Sequence, residues 1–222
     1  MLCMKQNRAV GHTGMLTNTD WLSLFINAGA VWEYVPGKPH ITFEMAQIHA
    51  SFYFNTSIPC KDPSLMTKIT SAFSEILRTR GIKPDRIVSY VADIADGSEY
   101  AALLAKRLSI PDGSVNLRTS ILSFEPKAGE RILVFADDIV SGNSLQRTIA
   151  FLEQNGASIP FPILTLGNLS GQHTLHNHKI IALFEKRMET WNAEDCPLCD
   201  AGSKALKART AWDKLQNRTN IN

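Results

Sequence analysis

The sequence contains little cysteine, no marked excess of charge of either sign and no long apolar segment. Four cysteines in 222 residues are too few for a disulfide-stabilised scaffold. The 23 basic and 21 acidic residues nearly balance, so neither a nucleic-acid surface nor a membrane-binding patch is indicated. No stretch approaches the roughly 20 apolar residues of a membrane span, and the amino terminus lacks the apolar core of a signal peptide. We therefore expect a soluble cytoplasmic protein, with 44% hydrophobic residues to build its core.

Strand and helix patterns alternate through the middle of the chain. The apolar segments at 86–91, 132–136, 162–166 and 179–184 predict strands, and helical periodicity follows the first two. Such alternation is typical of a doubly wound, mainly parallel α/β sheet. We divide the chain into a polar arm at 1–18, an N-terminal helix and flap at 19–60, the α/β core at 61–185 and a C-terminal tail at 186–222.

The most informative segment is RILVFADDIVSGNSL, residues 131–145. Its apolar run predicts a strand buried on both faces, and Asp137 and Asp138 stand at the carboxyl end, where open α/β sheets bind ligands. The loop that opens the following helix comprises Val140, Ser141, Gly142, Asn143 and Ser144. Its backbone amides and the helix dipole suit an anion, while the carboxylates suit a diol or a hydrated divalent cation. A sugar phosphate fits this pattern; a metal site of another kind and a solvated strand cap are the alternatives.

Several segments, in order along the chain, resemble the type I phosphoribosyltransferases and, among them, the orotate type. They are the flap segment 49–55, the loop 92–98, the acidic pair at 137–138 and the tail segment 190–199. The resemblance covers about residues 21 to 199, and the order of the motifs makes it more specific than any one of them. It implies a type I phosphoribosyltransferase fold with a flap. It also implies an enzyme of pyrimidine nucleotide biosynthesis that transfers phosphoribosyl from phosphoribosyl pyrophosphate to a pyrimidine-like base with Mg²⁺, as a homodimer.

The resemblance assigns roles to the acidic pair and to the loop after it. Asp137 and Asp138 would be catalytic, because they hold the ribose hydroxyls while positive charge develops on the sugar ring. The same two carboxylates are the predicted magnesium ligands. The loop at 140–144 would bind the 5′-phosphate.

Pyrophosphate binding is assigned by the same resemblance to a second loop and one arginine. Ala95, Asp96 and Gly97 would hold the pyrophosphate with magnesium, and Arg118 would be the catalytic cation that closes over it. The family commonly has a basic residue where Asp96 stands, so an acidic loop here needs a bridging cation or a different ligand. The mobile Lys/Arg-rich loop of the orotate type is reduced to a short segment in which Arg118 is the one base at the expected place.

Two further departures leave other functions open. Residues 137–144 are one residue shorter before the glycine than the family pattern D-D-x-x-x-T-G-x-T. Asn168 stands where an orotate-binding arginine is expected, and an amide cannot pair a carboxylate bidentately. One alternative is a catalytically impaired homologue that binds a nucleotide or sugar phosphate as a regulatory or partner protein. The other is a hydrolase that uses the carboxylates with a metal.

Cys196 and Cys199 form a C-x-x-C motif, which is half of a zinc site. The second half is not evident in the sequence. His173, His176 and His178 lie in a polar loop and could meet the thiolates in space. We favour reduced thiols, because a structural zinc ion normally has four protein ligands.

Overall fold

The computed structural model of the protein describes residues 16–43, 47–92, 97–208 and 210–216. Its strands are β1 (Val31–Glu33), β2 (His40–Phe43), β3 (Ile48–Ala50), β4 (Phe52–Phe54), β5 (Arg86–Val91), β6 (Asp112–Asn116), β7 (Ile121–Leu122), β8 (Ile132–Ile139), β9 (Ile163–Asn168), β10 (Thr174–Leu175), β11 (His178–Glu185), β12 (Thr190–Asn192) and β13 (Ala205–Lys207). Its helices are α1 (Asn18–Asn27), α2 (Ser57–Cys60), α3 (Pro63–Thr79), α4 (Ser98–Leu108), α5 (Asn143–Gln154), α6 (Pro197–Asp200) and α7 (Trp212–Leu215). Within these ranges, every helix is too short or too polar to cross a membrane.

The main sheet has the strand order β10-β11-β9-β8-β5-β6-β7 among the described residues. Strands β11, β9, β8, β5 and β6 are mutually parallel, and β10 and β7 are antiparallel strands at the two edges. This arrangement confirms the predicted α/β fold with a mainly parallel sheet.

Strand β8 lies at the middle of the sheet because its apolar residues supply both faces. Leu133 and Phe135 join one core cluster, whereas Ile132, Val134 and Ala136 join the other. This is the period-2 alternation of a strand that is covered on both sides.

Helices cover the two faces of the sheet. Helix α3 begins at Pro63 because Asp62 caps it, accepting hydrogen bonds from the backbone N–H groups of Ser64 (2.9 Å) and Leu65 (3.1 Å). The buried side chains of α3 and α4 belong to the cluster of Phe135, and those of α5 belong to the opposite cluster. Among the described helices, α5 is therefore the one that contributes buried side chains to the opposite face of the sheet.

Flap and tail, which are far apart in sequence, share one small sheet. Its strand order is β12-β3-β2-β13, so two tail strands flank two flap strands. Trp212 of α7 packs on Tyr53 of β4, with ring centroids 5.6 Å apart. We call the flap from β1 to α2, which includes Thr56, together with these tail segments the hood.

Candidate active site

The carboxyl edge of the parallel sheet brings together the loops for which site residues were predicted. Asp137 and Asp138 lie near the carboxyl end of β8, and Gly97 is the residue before α4. A Cβ atom at Gly97 would lie 3.3 Å from the backbone N of Asp137, so the start of α4 and the end of β8 are in close contact. Ala95 and Asp96 lie outside the described residues.

The adjacent carboxylates have different surroundings. Asp137 is 3% exposed, and its Oδ2 accepts a hydrogen bond from Thr56 Oγ1 of the hood at 2.8 Å. Thr56 is fixed in turn by Tyr100, whose hydroxyl donates to the Thr56 carbonyl at 2.6 Å. Asp138 instead lines a cavity on the side of α5. The hood therefore covers Asp137, while Asp138 lines the cavity beside α5.

Asp138 shares a cavity of about 110 Å³ with Tyr90 of β5 and with the loop that opens α5. Desolvation and, second, the charge of neighbouring Asp137 raise the pKa of Asp138 well above its usual value. Burial also raises the pKa of Tyr90 well above its usual value, with smaller contributions from both carboxylates. A cationic or hydrogen-bond-donating ligand in this cavity would relieve the repulsion between the carboxylates.

The loop from Val140 to Ser144 contributes the other lining residues of this cavity. Gly142 precedes α5 with φ +79°, a left-handed conformation that favours glycine. A Cβ atom at Gly142 would approach Leu175 Cδ1 to 2.8 Å, so the turn is also sterically closed to larger residues. Of the first backbone amides of α5, that of Asn143 donates to Ser141 Oγ at 3.4 Å, while those of Ser144 and Leu145 lack intrahelical acceptors, as at any helix start. The loop can therefore present N–H groups to an anion beside Asp138.

Arg118 lies in the turn between β6 and β7, at the same edge but outside the lining of this cavity. Its backbone N–H donates to Asn116 Oδ1 at 3.0 Å, and its side chain is exposed. Arg147 of α5 donates to the Leu117 carbonyl at 2.7 Å, which ties this turn to the helix behind Asp138. The turn is thus docked near the site, with the arginine on its outer surface.

Asn168 is occupied by its own turn. Its Nδ2 donates to the Gln172 carbonyl at 2.7 Å, and its Oδ1 accepts from the Ser170 hydroxyl at 2.7 Å. The side chain is 2% exposed. Asn168 therefore stabilises the loop after β9 and is not presented to a ligand.

Sequence reasoning missed two residues of this edge, Thr56 and Tyr90. Tyr90 could have been found from the predicted strand 86–91, since it comes directly after Ser89, which pairs with Phe135 of β8. Thr56 has no comparable signal, because its contact with Asp137 spans 81 residues.

Curated relatives and solved structures point to the same fold. The chain is 29% identical over 175 residues to the orotate phosphoribosyltransferase of Campylobacter lari, covering 72% of this chain and 85% of the relative. It is 25% identical over 183 residues to the one of Campylobacter fetus, covering 77% and 90%. The crystal structure of orotate phosphoribosyltransferase from Aeropyrum pernix superimposes with a TM-score of 0.60 at 21% identity, covering 74% of this chain and 93% of that one. Adenine phosphoribosyltransferase of Saccharomyces cerevisiae superimposes with a TM-score of 0.57 at 16% identity, covering 75% and 99%. No protein-family model matches the chain.

This chain has the type I phosphoribosyltransferase fold. Its sequence is similar to those of curated orotate phosphoribosyltransferases at 25–29% identity, in agreement with the resemblance of the segments at 49–55, 92–98, 137–138 and 190–199. In this fold Asp138 and the loop before α5 line one cavity at the carboxyl edge of the sheet, the edge at which open α/β sheets bind ligands.

Proposed function

We propose that this protein transfers phosphoribosyl from phosphoribosyl pyrophosphate to a pyrimidine-like base. The observation that carries the proposal is the cavity in which Asp138 faces the loop at the start of α5. A carboxylate and a row of helix-start amides fit the hydroxyls and the 5′-phosphate of one sugar phosphate. The relatives named as orotate phosphoribosyltransferases support a pyrimidine as the base. We further propose that the protein acts in the cytoplasm as a homodimer, with no nucleic acid or membrane as partner.

In the proposed reaction the bond between ribose C1 and the pyrophosphate oxygen breaks and a bond from C1 to a ring nitrogen of the base forms. The proton on that nitrogen passes to solvent, and pyrophosphate leaves with the bonding electron pair. Asp138, and Asp137 once Thr56 releases it, would hold the ribose hydroxyls and stabilise the positive charge on the sugar. Arg118 is proposed to approach the leaving group from its exposed turn.

Magnesium fits the residues at this edge, because Mg²⁺ prefers oxygen ligands and retains several waters. Asp138 is the better-placed donor, since it lines the open cavity while Asp137 is covered by the hood. Bound magnesium would neutralise part of the pyrophosphate charge. Gly97, with Ala95 and Asp96 before it, is proposed to approach the pyrophosphate from the loop after β5.

A second candidate function is favoured by the segment after β6. Strands β6 and β7 form a short hairpin, and the ring of Phe124 packs directly on Gly113 of β6. Phe124 therefore anchors the segment after β7 to the sheet. A catalytically impaired homologue that still binds a nucleotide or sugar phosphate is therefore the alternative.

A turnover assay distinguishes the two functions. The purified protein is mixed with phosphoribosyl pyrophosphate and orotate, uracil or another pyrimidine, with and without magnesium, and nucleotide and pyrophosphate are quantified. Equal amounts of both products, dependent on magnesium and on one base, support the transferase. Binding of phosphoribosyl pyrophosphate without product from any base would overturn catalysis and support the impaired homologue. Phosphate release without a base would indicate hydrolysis instead.

A further inference from the structure

Four metal-binding side chains meet in the hood, away from the carboxyl edge. His40 belongs to β2 and His49 belongs to β3. Cys196 directly precedes α6, and Cys199 lies within it. One ligand atom from each of the four lies within 4.8 Å of all the others. The C-x-x-C motif of the tail therefore finds its second pair in flap histidines. His173, His176 and His178 are not part of this cluster.

The distances within this cluster match a tetrahedral zinc site. Cys199 Sγ lies 3.3 Å from His49 Nδ1 and 3.6 Å from His40 Nε2, and Cys196 Sγ lies 3.7 Å from His40 Nε2. Zinc bonds of about 2.3 Å to sulfur and about 2.0–2.1 Å to nitrogen, at a tetrahedral angle, place sulfur and nitrogen roughly 3.5 Å apart. The two imidazole nitrogens are 2.9 Å apart, slightly closer than the roughly 3.3 Å expected around zinc. A small outward movement of one ring would complete the tetrahedron.

Strand pairing and a tight turn position the four ligands. Trp191 of β12 pairs with His49, and Ala205 of β13 pairs with His40, so both tail strands bring α6 to the histidines. The backbone N–H of Cys199 donates to the Cys196 carbonyl at 3.0 Å, which directs both sulfurs to one side of the turn. Backbone hydrogen bonds of the tail therefore hold the two cysteines beside the two histidines.

A second hydrogen-bond layer orients one of the ligands. His40 Nδ1 is 2.9 Å from Ser203 Oγ, and Ser203 Oγ donates to the Lys38 carbonyl at 2.8 Å. Since Ser203 gives its proton to Lys38, it accepts from His40 Nδ1–H. The tautomer that leaves His40 Nε2 free to bind metal is thereby favoured, as in known zinc sites whose histidines donate to a second partner.

We propose that His40, His49, Cys196 and Cys199 bind one structural zinc ion that fastens the tail to the flap. Two thiolates with two imidazoles select zinc over magnesium, which prefers oxygen ligands. Four protein ligands leave no open position, as in structural and not catalytic sites. His40, His49 and Cys196 are buried, while the exposed Cys199 gives the metal a route of entry. The site does not depend on the proposed transferase activity.

Metal analysis of the full-length protein tests this site directly. We expect about one zinc per chain after purification or after refolding with zinc. Cys199→Ser and His49→Ala should abolish stoichiometric zinc, whereas the controls Cys60→Ser and His176→Ala should retain it. Cys60 is a matched control because its thiol donates to Glu99 outside this cluster. Ser203→Ala should weaken zinc binding about 10- to 100-fold by releasing His40.

Cobalt substitution keeps the test valid if a ligand variant fails to fold. Wild-type protein stripped of metal and titrated with Co²⁺ should show the absorption of tetrahedral cobalt with thiolate ligands, saturating at about one equivalent. Zinc added afterwards should remove that absorption. Absence of stoichiometric zinc together with absence of the cobalt spectrum would overturn the proposal. So would a disulfide between Cys196 and Cys199 in freshly purified protein, or full zinc retention by Cys199→Ser.

Discussion

At the amino edge of the parallel sheet Asp85 and Glu130 each face an arginine, whereas at the carboxyl edge two carboxylates are neighbours. Asp85 lies 2.9 Å from Arg131, and Glu130 lies 2.9 Å from Arg86. Asp138 follows Asp137 directly, and its pKa is raised by desolvation and by that neighbouring charge. A buried paired charge becomes uncompensated when its partner is removed, while crowded like charges favour a ligand that neutralises them.

The cavities at the two edges of the sheet differ in volume, and the larger one is not at the edge of the proposed site. The amino edge holds the larger cavity, about 440 Å³, lined by Asp85, Arg86, Glu130 and four neighbours. The carboxyl-edge cavity is about 110 Å³. Ligands of open α/β sheets bind at the carboxyl ends of the strands. We therefore place the proposed site at the carboxyl edge on the arrangement of charges and not on cavity volume.

The largest expected effect is on activity at the carboxyl edge. Asp138→Asn should lower turnover about 10²- to 10³-fold, as expected when one group that stabilises transition-state charge is lost. Its thermal stability should be unchanged or higher, because a repelling charge is removed. Steady-state kinetics and thermal melting check this. Asp112→Asn, at the exposed start of β6, is the control and should behave as wild type.

The reverse pattern is expected at the amino edge. Glu130→Gln leaves the Arg86 guanidinium, 13% exposed in its side chain, without its charged partner. Stability should fall by about 3 kcal/mol, lowering Tm by about 6–12 °C for a chain of this size, while turnover at 25 °C stays near wild type. Calorimetry and kinetics measure both, with exposed Glu125→Gln as control. A variant that loses activity and keeps its Tm would contradict the division between the edges.

Two glycines sharpen the comparison further. Gly142 at the carboxyl edge and Gly129 at the amino edge both have positive φ, +79° and +73°. Alanine at either position should cost about 1–3 kcal/mol through backbone strain. Only Gly142→Ala should also weaken binding of phosphoribosyl pyrophosphate, because it distorts the loop before α5. Equal loss of binding by both variants, measured by calorimetry, would count against that loop as the phosphate site.

The smallest expected effect is a pH dependence at the amino edge. Hydrogen bonds from the Arg131 side chain and, second, from its backbone lower the pKa of Asp85. The stabilisation is therefore present above the unfolded pKa of about 3.9 and is lost as pH falls through the lower folded pKa. Because the pair is half exposed, the effect is small. Urea unfolding of wild type and Asp85→Asn should differ at pH 6, and the difference should shrink as pH falls below about 3.9; a constant difference would refute this.

The fold and the carboxyl-edge loops were predictable because their signals are local. The strand–loop–helix unit at 131–154 is contiguous, so its apolar run, acidic pair and glycine could be recognised together. Strand 86–91 and the helix that begins at Pro63 were predicted for the same reason. Alternation along β8 puts Asp137 and Asp138 on opposite faces of the strand, but the cover over Asp137 was not predicted, because Thr56 of the hood is 81 residues away in sequence.

The cluster of two histidines and two cysteines in the hood could not be predicted from nearby residues. Cys196 and Cys199 were recognised as half a zinc site, but the nearest histidines in sequence were the wrong partners to consider. His40 and His49 are about 150 residues away, and only the pairing of tail strands with flap strands brings them to the thiols. The pairing partners of such short strands cannot be read from one sequence, because three residues carry too little of a hydrophobic pattern to fix a register.

Calorimetric titration with phosphoribosyl pyrophosphate tests the central claim most directly, using wild type, Asp138→Asn and Asp112→Asn with and without magnesium. The account predicts saturable, magnesium-dependent binding to wild type and Asp112→Asn, and binding weakened at least about tenfold, or 1.4 kcal/mol, for Asp138→Asn. No binding to wild type at millimolar ligand, or equal binding by all three proteins, would contradict the assignment of the carboxyl edge as the phosphoribosyl site.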